Sequence, residues 1–195
     1  MSSRPRKCSL LVVAVLAALA LAACGDSHTR VSGGTYAGEL GAGAPYLNVG
    51  PLIYQVQLSR QLSPFDIEDA AYLQGLAATQ RKLAPGQEWL GVFVQVYNNT
   101  ARALPAANNL TITDTQGITY TPIVPNASNQ FAYRGGTVPP KGRLPLLDSI
   151  AGAGPTQGAL LLYKIQIVSL DNRPMKVTIV DPTDASQTAS AELDV

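Results

Sequence analysis

The stretch at residues 88–97, EWLGVFVQVY, restricts the fold of this chain more than any other. Side chains of an extended backbone alternate between two faces. Leu90, Val92, Val94 and Val96 then share one face, while Trp89, Phe93 and Tyr97 share the other. Both faces are apolar and both need cover, so the segment reads as a central strand rather than an edge. Asn98, Asn99 and Thr100 break it.

Other segments supply its neighbours. Leu52, Tyr54, Val56 and Leu58 alternate with Gln55, Gln57 and Ser59, the period of a strand with one buried face. Leu110 and Ile112 lead into Asp114-Thr115-Gln116-Gly117, a type I turn with Asp first and Gly last, and residues 118–121 return as a hairpin. Residues 159–168 form a further strand, with Leu161, Tyr163, Ile165 and Ile167 on one side and Lys164 and Gln166 on the other. A turn at residues 171–174 leads to residues 175–180, expected to be the last strand. Residues 122–155 are rich in Gly and Pro around the aromatic segment 131–133, which predicts surface loops with one or two edge strands. Short strands between Gly, Pro and Asn turns predict an all-β fold, an antiparallel β-sandwich.

One short helix is expected as an insertion. Ser63 can cap it, Pro64 suits its first position, Asp66 completes a capping box, Leu62 and Ile67 can staple it, and Gly75 can end it. At 100° per residue, Ile67, Ala70 and Ala71 cluster on one side, and Phe65, Glu68, Asp69 and Tyr72 on the other. Aromatic side chains bury more area than alanines, which turns Phe65 and Tyr72 inward. If the alanine side packs instead, Phe65, Glu68, Asp69 and Tyr72 form a candidate binding face.

The first 23 residues read as an address. Arg4, Arg6 and Lys7 precede twelve apolar residues at 10–21, followed by small residues and a cysteine, the layout of a secretory signal peptide. Leu21-Ala22-Ala23-Cys24 resembles the bacterial lipobox. That resemblance implies cleavage between Ala23 and Cys24, and a diacylglyceryl group, with or without a further N-acyl chain, on the Cys24 sulfur and new N-terminus. The competing reading is an uncleaved membrane helix, because residues 8–25 are uncharged. Cys8 has no assignable role. Residues 24–44 are glycine-rich without an apolar period and read as the lipidated N-terminus and a flexible tether, its ends about 25 Å apart. No strand precedes these glycines and no helix follows, which rules out a dinucleotide-binding loop. The sandwich is expected at residues 45–182 and a polar, frayed tail at 183–195.

The succession of a first strand, WLGVFVQVYNNT, ITDTQGITY and GALLLYKI is similar to the immunoglobulin-like domain of secreted bacterial immunoprotective proteins, found also in a family of uncharacterised bacterial lipoproteins. It spans residues 46–182. The resemblance implies an immunoglobulin-like β-sandwich and no catalytic residues.

Counting removes most chemistry. The 195 residues, less the first 23, leave 172, enough to bury a core without a disulfide or metal. Cys24 is then the one cysteine, so no internal disulfide forms. The leader's three cations leave 11 basic residues against 13 acidic ones, which argues against nucleic acid. It also leaves the lipid as the only membrane anchor. His28, the single histidine, sits in the tether and is a poor general base. Zinc and copper lack ligands, so no metal or other cofactor is expected. Asp66, Glu68 and Asp69 could serve a carboxylate-based hydrolase, yet three acids in a first helical turn already suit the helix dipole. Arg134, Lys141 and Arg143 could meet an anionic polymer or lipid headgroup, or simply be solvated. Asn98, Asn109 and Asn126 open glycosylation-like triplets, which a bacterial lipobox leaves unused. The expectation is a non-enzymatic, lipid-anchored envelope module on the extracytoplasmic face of the cell membrane, binding an envelope protein or small ligand. Its rivals are a hydrolase and a structural spacer.

Overall fold

The computed structural model describes residues 29–35 (backbone only), 46–154, 156–193 and 195. The expected leader 1–23, Cys24, His28 and residues 36–44 of the expected tether lie outside them. One sheet runs in the order β1 (Thr29–Thr35), β12 (Thr188–Leu193), β11 (Met175–Val180), β6 (Leu110–Thr113) and β7 (Thr119–Tyr120). The other runs β10 (Ala159–Gln166), β4 (Gln87–Tyr97), β3 (Leu52–Leu62) and β2 (Tyr46–Val49), with β9 (Arg143–Leu144) beside the end of β4. β5 (Leu104–Ala106) and β8 (Gly136–Val138) make a separate ribbon. Every pairing between these strands is antiparallel except that of β1 with β12. The fold is therefore the all-β antiparallel sandwich predicted, with β4 between β3 and β10 as its two apolar faces require.

The principal core lies between the sheets. Leu90, Val92, Val94 and Val96 of β4 meet Leu110, Ile112, Val177 and Ile179 from the opposite sheet. Three tyrosines cross this core and end on backbone groups at the start of β6 and just before it. Tyr54 accepts the Ala107 N–H at 2.7 Å, Tyr133 donates to the Ala107 carbonyl at 2.7 Å, and Tyr163 donates to the Leu110 carbonyl at 2.5 Å. Each phenol thus satisfies a group that burial would otherwise strand. Burial pushes the Tyr54 hydroxyl up to about 12 and raises Tyr133 and Tyr163 further.

The outward face of β4 and β10 builds a second core. Trp89, Phe93, Leu160 and Leu162 pack under Leu62, Tyr72, Leu73 and Leu76. The cover is the segment between β3 and β4, which carries α1 (Ile67–Tyr72) and α2 (Ala78–Arg81). A third short helix, α3 (Ile150–Ala153), precedes β10. Asn129 fastens the cover: its side-chain amide donates to the Tyr72 and Gln74 carbonyls at 2.8 and 2.9 Å, and its oxygen accepts from Phe131 and Ala132.

Several expectations are corrected. Residues 183–195 are not a frayed tail, because β12 pairs residue by residue with β11 and buries Ala189, Ala191 and Leu193. Its alternation was legible, but small alanines made it faint. Residues 29–35, expected within the tether, form β1 along the edge of β12, with the register slipping between Ser32 and Thr35. An open edge carries unpaired N–H and C=O groups that an extended segment satisfies. In β3 a bulge between Val56 and Leu58 reverses the facing: Val56 pairs with Val94 in the main core, whereas Leu58 pairs with Phe93 in the outer one. Strand β10 stops at Gln166, and Ile167 opens a half-exposed 3₁₀ turn instead of continuing the inner face. The predicted turn at 114–117 is present, with Gly117 at φ 85° and its N–H donating to the Asp114 carbonyl at 3.1 Å. Between β2 and β3, which sequence reading did not separate, Gly50 adopts φ 54°; a Cβ there would stand 2.2 Å from Asp181 Oδ2.

Candidate binding surfaces

The helix predicted to carry the binding face is one turn shorter at its start than expected. Asp66, not Ser63, is the N-cap: Asp66 Oδ1 accepts the Glu68 N–H at 2.8 Å and the Asp69 N–H at 3.4 Å. Ser63 instead closes the turn before it, its carbonyl accepting from Asp66 N at 3.2 Å and its hydroxyl from Phe65 N at 3.3 Å. Tyr72 is the last helical residue, and Gly75 follows at φ 74°.

This shift divides the predicted face. Phe65 lies outside the helix, where the 100° rule does not apply, and is 95% exposed. Glu68 is exposed as well. Asp69 and Tyr72 point inward and are buried, so they cannot belong to a surface. The Asp69 carboxylate accepts the Ser63 N–H at 2.8 Å and forms an ion pair with Arg60. The Tyr72 ring meets Phe93 and Phe131 edge-on, at centroid distances of 5.1 and 4.8 Å, with the Arg60 guanidinium 5.7 Å from its own centroid. Ile67, predicted to staple the helix to Leu62, is 92% exposed. Phe65 and Ile67 therefore stand together at the tip of the insertion, with Asp66 and Glu68 exposed beside them.

The acids once considered for catalysis have separate tasks. Asp66 caps the helix and Asp69 ties Arg60 and Ser63, while Glu68 faces solvent. Among the described residues no three of His, Cys, Asp and Glu come together.

The three cations of the 122–155 region also separate. Arg134 is structural: its guanidinium donates to the Pro125, Asn126 and Asn129 carbonyls. Lys141 and Arg143 remain together at the far end of β4, lining an open cleft of about 350 Å³ with Tyr97, Asn99, Leu146 and Leu147. Buried Asn98 builds the floor beside it. Its side-chain amide donates to the Arg102, Val138 and Pro139 carbonyls, and its oxygen accepts from the Thr100 N–H and hydroxyl. At 0% exposure Asn98 is closed to glycosylation and serves instead to fold this loop. Sequence reading named Asn98 only as a strand breaker and the head of a glycosylation-like triplet, and missed Asn129; an Asn opening a loop was the one signal of their backbone-bonding role.

Around Arg143 the polar groups are amides and a phenol. The Tyr97 hydroxyl donates to Gln95 Oε1, which also receives Arg143 Nη1 at 3.4 Å. Gln95 Nε2 donates to the Gln157 carbonyl at 2.7 Å. Burial raises the Tyr97 hydroxyl above the ordinary phenol range, although the Arg143 charge opposes it.

No protein-family model matches the sequence, and no curated protein does. Solved structures with a similar fold exist. The yjhA protein of Bacillus subtilis aligns with a TM-score of 0.51 at 11% identity, over 80% of this chain and 99% of that one. A candidate lipoprotein of the same organism, ycdA, aligns at 0.48 and 10% identity over 76% of this chain and 38% of its own. An uncharacterised β-sandwich protein of Clostridium difficile aligns at 0.45 and 8% identity, over 86% and 97%. At such identity the likeness to yjhA shows a shared antiparallel β-sandwich fold.

Proposed function

We propose that this chain is a lipid-anchored protein of the bacterial cell envelope, held on the extracytoplasmic face of the cell membrane, whose β-sandwich is a non-enzymatic binding module. The observation that carries the binding role is the joint exposure of Phe65 and Ile67, 95% and 92%, on an insertion pinned at its base by Asp69, Tyr72 and Asn129. Two large apolar side chains presented on an ordered tip are recognition anchors whose ordering cost is already met by the fold. The exposed acids Asp66 and Glu68 beside them favour an envelope protein with an apolar pocket edged by Lys or Arg. They disfavour an anionic membrane surface at this tip.

The anchor rests on the sequence: the basic start, the apolar run and Leu21-Ala22-Ala23-Cys24, which places a lipid-bearing thioether at Cys24 after cleavage at Ala23. The covalent lipid is the only added group in this reading. Resemblance to the immunoglobulin-like domain of secreted immunoprotective proteins fits a binding role, and the structural tasks of Asp66 and Asp69 leave little for a carboxylate-based hydrolase.

In-cell crosslinking of the full chain against a Phe65→Ala/Ile67→Ala variant tests the tip. One envelope protein captured by the wild type, with yield falling about tenfold or more in the variant, is expected. Equal capture by both removes the tip as the binding site, and none by the wild type sinks the protein-binding role and leaves a small ligand or the spacer. Cys24→Ala tests the anchor: the variant should leave the detergent phase, and one that stays there means that residues 8–25 span the membrane.

A further inference from the structure

The cleft at the far end of β4 holds a cation that the protein itself does not neutralise. Among the described residues neither Lys141 nor Arg143 meets a carboxylate, unlike Arg60, which pairs with Asp69. Asp148, the acid nearest in sequence, neither pairs with them nor lines the cleft. The half-buried Arg143 guanidinium carries five N–H donors. The fold meets it only with neutral groups, the Gln95 amide oxygen at 3.4 Å and the Tyr97 hydroxyl, and seals Nε away without a partner. A guanidinium removed from much of its water without an acid is costly unless something else completes it.

Beside it the backbone is held in a conformation that does not favour its residue. Residues 139–142 form a turn closed by Gly142 N–H to the Pro139 carbonyl at 3.1 Å, and its third position is Lys141 at φ 51°. A type II turn asks for glycine there, yet the glycine comes one residue later. Left-handed backbone costs a lysine about 1 kcal/mol. The arrangement keeps the Lys141 ammonium on the Asn99 carbonyl at 2.6 Å, at the rim of the cleft. Strain kept at a cleft beside an unpaired arginine points to a site. The opposite wall is apolar: Leu146 and Leu147 are 48% and 69% exposed.

We infer that this cleft binds a small organic anion in which a carboxylate adjoins a branched aliphatic or aromatic group. The carboxylate pairs with Arg143, whose planar fork matches it, with Lys141 adding charge at the rim. The apolar group lies on Leu146 and Leu147, and Tyr97 borders the junction of the two. At about 350 Å³ the cleft is near the lower limit for small-molecule pockets and suits one amino-acid-sized group. The same pair of groups occurs in a free acid and at the C-terminus of a peptide. This site is independent of the tip and of the anchor, so its failure leaves them untouched.

The test is an NMR titration of the full mature chain in detergent micelles, following the Leu146 and Leu147 methyls and the Arg143 Nε–H. N-acetyl-leucine should shift all three saturably, and N-acetyl-leucinamide, its neutral counterpart, should bind about tenfold or more weakly. Arg143→Gln should abolish that discrimination; the comparison of acid with amide on the wild type stands even if the variant misfolds. Tighter binding of Ala-Ala-Leu with a free carboxylate points to a peptide C-terminus, and equal or weaker binding to a free acid. Absence of saturable shifts, an equal response to the amide, or displacement of N-acetyl-leucine by equimolar inorganic phosphate overturns the proposal.

Discussion

The two ends of β4 present the same face of the same sheet and are treated in opposite ways. At the Trp89 end the outward side chains are Trp89, Phe93, Leu160 and Leu162, and the chain spends an insertion with two helices to cover them. At the Tyr97 end they are Gln55, Gln57, Gln95 and Tyr97, which bond to one another or to nearby carbonyls and leave an open cleft. Eight residues of strand, about 26 Å, separate the two. Apolar groups must be covered, whereas amides only need partners, so the first end became a second core and the second kept a half-buried cation without an acid. Helix α1, which sequence reading nominated as a binding element, is mainly structural; only its leading edge is free.

The largest effects should come from the cores. Phe93→Ala is expected to cost about 3–5 kcal/mol and Leu161→Ala about 2–5 kcal/mol in chemical denaturation. Hydrogen exchange separates them: the first should strip protection selectively from residues 63–83, the second from strands of both sheets. If Phe93→Ala leaves the insertion as protected as the strands, the two cores are one cooperative unit and the contrast fails.

Next comes alkaline pH, which acts on the inner core through its buried phenols. Tyr54 ionises near 10 when unfolded and is raised to about 12 by burial. The native state therefore keeps a proton that the unfolded state loses. Stability is whole below pH 10 and falls as pH rises toward 12, by about 3 kcal/mol from Tyr54 alone. Denaturant midpoints at pH 9 and 11 should show the decline, and Tyr54→Phe should reduce it. A flat profile refutes the assignment.

Asp69→Ala should cost about 2 kcal/mol, since it strands the Arg60 guanidinium and the Ser63 N–H while leaving the inner core intact. Limited proteolysis should then cut within residues 63–83 before the strands open; cleavage elsewhere first would place the weak point outside the insertion. Smallest is Phe65→Ser with Ile67→Ser, expected within about 0.5 kcal/mol of wild type because neither side chain packs on anything. A loss of several kcal/mol would mean that the tip is part of the outer core.

Much of the sandwich was legible because period-two patterns in large residues are unambiguous. β4, β10, β11 and the 114–117 turn stand close to where the sequence puts them. β12 escaped because Ala189 and Ala191 carry the alternation with little apolar area. The candidate sites were much less legible. Phe65 and Tyr72 share a helical wheel in the sequence, but Phe65 precedes the Asp66 cap, and one residue went out while the other went in. Arg134 and Arg143 look alike on the chain; one is consumed by three carbonyls and the other ends on a neutral amide and a phenol.

By itself the sequence determined what is local: a strand with two apolar faces and a turn that starts with Asp and ends with Gly. Only the tertiary structure decided which way each face points. One extra residue in β3 moves Leu58 from one core to the other, and one acid acting as cap turns Asp69 inward. Whether Arg143 finds a partner depends on strands far apart in the chain. Facing and pairing are properties of the assembled chain, set by which neighbour can bury or bond a side chain, and no single segment carries that information.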